Sequence, residues 1–175
     1  MNFIKKKDSE LELIFSGKNT IKKKLLLKKI SLKEKNNIIS IKNLTFSNNN
    51  KIDDLGNIKI KYSDKDDLKN NLEFIKKNRN YLVSGSSFNI KNIIDKLLNT
   101  KNDKKLNIFN KNFKVFFDVK NVYLNKENTL NDLKGFLSLN KNEISELNLE
   151  ANFSNQKNIK FTIKDKGNEK ITTLY

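Results

Sequence analysis

The chain has 175 residues, a length that suits one sizeable domain, and its 36% hydrophobic content falls in short regular runs that disorder would not produce. Histidine and cysteine are absent, which excludes His-dependent triads, His or thiolate metal sites and disulfides. The net charge of +16 comes almost wholly from lysine, with Arg79 the sole arginine. A dedicated nucleic-acid reader would be expected to use more guanidinium forks. Lysine, asparagine, isoleucine and phenylalanine also share A/T-rich codons, so the charge is weak evidence of function.

The basic start Met1–Lys7 runs into Asp8, Ser9 and Glu10, where a signal peptide needs an apolar stretch. Further on, the longest apolar run, Leu25–Leu27, is far short of the ~20 residues of a membrane span. Period-two alternation predicts strands over 10–15, 23–32, 37–46, 56–62, 71–76 and 80–85. Their inward sets include Leu11/Leu13/Phe15, Ile39/Ile41, Ile58/Ile60/Tyr62, Leu72/Phe74 and Tyr81/Val83. Residues 48–50 and 64–67 read as loops, and Gly85-Ser86-Ser87 as a turn from strand to helix.

One segment changes period. Ile90, Ile93, Ile94, Leu97 and Leu98 recur at helical spacing, and Asn89 is placed to cap a helix over 90–98. From about residue 112 the period returns to two. Phe113, Val115, Phe117 and Val119 alternate with Lys114, Phe116, Asp118 and Lys120. Leu133–Leu139, Leu147–Phe153 and Ile159–Ile163 follow the same rule. The polar links 140–143, 154–157 and 165–168 suit hairpins and are too short for parallel crossovers. They predict a five-stranded meander over 112–175.

About ten strands at ~4.8 Å spacing and six residues at ~3.3 Å give an apolar face near 1,000 Å², against the few hundred normally left exposed. A nine-residue helix covers about two strands of it. The rest is buried either by folding into a sandwich or by curling into a trough with a greasy guest. Alternation of this kind ordinarily marks a closed core, which favours the sandwich.

The order of features in the second half resembles the C-terminal region of the AsmA-like family, the TamB-type and YhdP-type envelope proteins. Tyr81–Ile90 is similar to that family's strand ending in Gly-x-Ser-Phe-Asp-like residues, and Ile93–Leu98 to its short helix. Phe113–Asn121, Leu130–Leu139, Ile144–Phe153 and Ile159–Lys164 resemble its closing strands. The likeness covers residues 80–175 well and the first eighty weakly. It implies a fragment of a longer periplasmic protein anchored in the inner membrane. The expected fold is all-β: one elongated, curled antiparallel trough in a single domain, with N-terminal strands over 1–88, a helical segment over 89–100 and the meander over 112–175.

The resemblance further implies a non-enzymatic function without cofactor: shielding phospholipid acyl chains in transit between inner and outer membranes, beside adjacent β-repeats. The expected lining is Phe113, Val115, Phe117, Val119, Leu137, Leu149, Phe153, Phe161 and Ile163, with Ile90, Ile93, Ile94, Leu97 and Leu98 packing the helix and plugging or capping one part of the trough. Two other readings stand beside it. Lysines among strand aromatics suit single-stranded nucleic acid, although Phe113 and Phe117 share the apolar face and exposed rings such as Phe116 are few. A structural β-domain docking on anionic membranes needs no internal cavity. Asp53-Asp54 and Asp64/Asp66/Asp67 read as solvated loop acids rather than cation ligands.

Overall fold

The computed structural model describes residues 11–19, 24–91, 108–140, 142–166 and 169–175. The strands are β1 (Leu11–Asn19), β2 (Leu25–Glu34), β3 (Asn37–Phe46), β4 (Ile52–Asp54), β5 (Asn57–Ser63) and β6 (Lys69–Lys77). They continue with β7 (Asn80–Asn89), β8 (Phe113–Tyr123), β9 (Thr129–Asn140), β10 (Glu143–Phe153), β11 (Asn158–Lys166) and β12 (Glu169–Leu174). All belong to one open, curled sheet in chain order, with the short β4 set aside on β3. The protein is all-β, as the alternation predicts, and the trough rather than the sandwich is its architecture.

Several expectations are corrected. Among the described residues the sheet has twelve strands, the short β4 showing no period of its own. The pairing is antiparallel except at β7–β8, which run parallel, Tyr81 opposite Val115 and Phe88 opposite Val122. The connection over 90–112 is long enough to return the chain to the starting end, which the short polar links elsewhere are not. Gly85-Ser86-Ser87 lies inside β7 rather than forming a turn. Of the helix predicted over 90–98, only Ile90 and Lys91 are described; Ile93, Ile94, Leu97 and Leu98 lie outside the described residues. Asn89 Oδ1 does accept the Lys91 N–H at 3.0 Å, the bond expected of an N-cap.

Two lines of extra residues bend the sheet. The register slips by one between β6 and β7 at Asn71/Leu72, and again between β9 and β10 at Glu150/Asn152. One additional residue therefore runs through β7, β8 and β9 at Ser86, Lys120 and Asp132. Asp132 adopts a left-handed φ of 54°, tolerated by aspartate at a bulge. A second line passes through Lys28 and Asn43, with φ 61° at Asn43 and a slip against β1 at Ser16/Gly17. Each bulge reverses the alternation, so Val122, Leu130, Leu27 and Leu44 are buried although their parity is opposite to that of the inward residues on the far side of the bulge. Bulges of this kind bend strands and increase twist, which is what a curled sheet requires.

A hydrogen-bonded strap measures the curl. Ile52 of β4 donates to Ile108 O (2.8 Å) and accepts from Asn110 N–H (2.9 Å), while Asn142 in the β9–β10 turn accepts from Phe109 N–H (2.6 Å) and donates to Phe109 O (2.9 Å). In a flat sheet β4 and that turn would stand four to five strand spacings apart, roughly 20 Å or more. Three residues span at most ~10 Å. The sheet closes the difference by curling.

Candidate functional site

The pairing registers assemble the inner face into apolar rows crossing the strands. The longest runs Ile30–Ile41–Ile58–Phe74–Val83 over β2 to β7. It continues Phe117–Gly135–Leu149–Phe161–Leu174 over β8 to β12. Gly135 breaks the row by necessity: its φ is 137° and a Cβ there would lie 1.9 Å from Asn148 O. A parallel row joins Tyr81, Val115, Leu137, Leu147 and Ile163. Beyond the bulge a shorter one joins Phe88, Val122, Leu130 and Phe153.

Burial grades across this face. At its centre Leu72, Val83, Val115 and Val119 are between 2% and 4% exposed, a dry core. On the flanks Ile30, Ile39, Ile41 and Ile58 on one side, and Leu137, Leu149, Phe161 and Ile163 on the other, are only partly covered. Phe153 reaches 38% exposure and Leu174 reaches 65%. The predicted lining is thus on one face but not equally available. Phe113, Phe117 and Leu137 are partly covered and pack on the core, Val115 and Val119 are part of it, and Leu149, Phe153, Phe161 and Ile163 retain accessible surface beyond it. The alternation missed Phe88, Val122 and Leu130, whose inward position depends on the bulge. The sequence signal was the break in period after Val119 together with Asn131-Asp132, residue types that accept the left-handed conformation.

One end of the trough is walled. Phe113 meets Tyr81 and Phe109 edge-on, with ring centres 5.2 and 4.9 Å apart, leaving a cavity of only about 10 Å³ beside Ile52 and Leu55. The Tyr81 hydroxyl donates to Asp54 Oδ1 (3.0 Å) and accepts from Leu55 N–H (3.1 Å). Burial, with Asp54 beside it, pushes this phenol up to about 12. Burial also opposes ionisation of Asp54, but bonds from Lys76, the Gly56 N–H and Tyr81 outweigh it and hold the carboxyl below its ordinary value. Asp53 is lowered by bonds from Lys24 and Asn110. Both acids lie in β4 rather than in a solvated loop, and they serve as anchors for the wall. Asp64 likewise holds the 64–68 turn, accepting from Asp66 and Leu68 N–H and from Asn89. Among the described residues no cluster of His, Cys, Asp and Glu suits a metal ion.

Much of the outer face is polar and ordered by charge. Lys59 faces Glu73 (2.8 Å), and Asp118, Lys134, Glu150 and Lys160 follow in register with alternating sign, Lys160 and Glu150 at 2.5 Å. Such cross-strand pairs fix register as well as solubility. Chemically, the molecule presents a walled apolar trough on one side and a charged surface on the other. No protein-family model, curated protein or solved structure matches this chain.

Proposed function

We propose that this chain is a non-enzymatic lipid-handling segment of a bacterial envelope protein of AsmA-like type, sheltering phospholipid acyl chains between the inner and outer membranes. The observation that carries the reading is the apolar row crossing ten strands of an open sheet, with partly exposed flanks. Ten strands at ~4.8 Å spacing make the row about 43 Å long, and its accessible parts are the flanks on either side of the dry centre. Each methylene moved from water to this face is worth ~0.8 kcal/mol, so affinity comes from area and needs no cofactor. The polar headgroup stays in solvent beyond the strand ends. Adjacent β-repeats of a longer protein would extend the same surface, and the periplasm is the compartment in which such a carrier operates.

Mass spectrometry of lipid co-purifying with the folded chain tests this. Phospholipid retained in high salt is the expected result. A chain that elutes free of lipid and does not extract labelled phospholipid from vesicles refutes the reading.

A further inference from the structure

The outer face of β2, β3, β5 and β6 carries an open hollow of about 550 Å³, bordered by Lys29, Lys33, Lys42, Lys59, Glu73 and Ile75. That volume is in the range of sites for small molecules. Lys29 and Lys42 are directly opposed across β2–β3, a like-charge pairing that destabilises a sheet. Among the described residues no carboxylate pairs with either, whereas Lys59 is neutralised by Glu73. Ser31 and Ser40, the next opposed pair on this face, also line the hollow. The arrangement leaves concentrated positive charge where the fold alone would place an acid.

An apolar row borders this hollow on the same face. Ile75, at its rim, pairs with Leu82, then Phe116 and Phe136. Ile75 is 37% and Phe116 41% exposed, unlike the polar rows beside them. Lys114 Nζ sits 4.0 Å over the Phe136 ring, which occupies the face a nucleic-acid base would stack on. Lysines beside exposed aliphatic and aromatic side chains match the membrane interface, where cations meet phosphates and apolar groups enter the acyl boundary.

We infer that this outer surface docks the protein on an anionic phospholipid membrane, with lipid phosphate groups between Lys29 and Lys42 and with Ile75 and Phe116 in the interface. This docking is separate from the cargo on the inner face and stands whether or not the trough holds lipid. Co-sedimentation with vesicles of phosphatidylcholine, alone or mixed with phosphatidylglycerol, tests it. Binding is expected only to the mixed vesicles. Lys29→Gln with Lys42→Gln should weaken it roughly thirtyfold, the worth of two surface lysines at an anionic leaflet. The double Lys→Arg variant should retain binding, and Phe116→Ser should weaken it without changing its salt dependence.

Melting of the glutamine variant should be unchanged or higher, because a repulsive pair is gone. Unaltered vesicle binding by that folded variant overturns the inference. So does a single-stranded oligothymidylate that binds more tightly than the vesicles and loses the same factor in the same variant.

Discussion

The division of the inner face into a dry centre and accessible flanks predicts that one substitution has opposite consequences at two sites. Val119 is 2% exposed, in the row beside Phe117; Phe161 lies on the flank strand β11 and is partly covered. Replacing Val119 with Asp forfeits about 1.5–3 kcal/mol of side-chain burial, and the buried carboxylate adds several kcal/mol of desolvation. The sum, above ~5 kcal/mol, approaches the whole stability of an ordinary domain. Phe161→Asp gives up about half of one burial contribution and leaves its carboxylate wetted, a loss near 1–2 kcal/mol. Val119→Asp should lose the β-sheet circular dichroism and the cooperative urea transition. Phe161→Asp should retain both and lose at least tenfold in lipid retention, about 1.4 kcal/mol. A folded Val119→Asp, or a Phe161→Asp that unfolds, would refute the assignment of centre and flanks.

Asn142→Ala removes both bonds to the Phe109 backbone and should cost about 1–3 kcal/mol, with earlier amide exchange at Ile52 and Asn110 as the strap loosens. Acid should destabilise the fold through Asp53, Asp54 and Asp64, all held below the ordinary carboxyl value of 3.8. A lowered folded pKa gives stability that is complete above that value and drains as pH falls through it. Tyr81 and Tyr62 are raised, so their contribution is intact below 10.0 and is lost as pH climbs towards about 12 for Tyr81. Urea midpoints measured across pH should be flat between those limits and fall at both ends.

Much of the sheet is legible from alternation alone, because each strand has one wetted face. Phe113–Val119 and Leu147–Phe153 announce their inward residues directly, and their polar links announce hairpins. Elements set by distant contacts were invisible. The strand β4 exists because Ile52 finds Ile108 and Asn110, and the parallel junction because β7 and β8 meet across 34 positions. Bulges fall between these cases: Asp132 is permissive for one, but only the neighbouring registers impose it. The nine candidate lining residues share one face of the sheet, while their separation into core and accessible flank depends on curl, which no local pattern encodes.

The parallel junction has a consequence for how the chain reaches this shape. On either side of it every principal pairing joins strands close in sequence, through links that close quickly. Among the described strand pairings along the sheet, β7–β8 is the one that demands closure of a loop more than twenty residues long, and the strap from Ile52 to Ile108 and Asn110 depends on the same closure. Contact order is therefore concentrated in one seam between two meanders of local pairings, and zipping that seam is the step expected to limit folding. Valine-to-alanine changes at Val83 and Val115 should slow refolding, while equal destabilisation at β11 should chiefly speed unfolding.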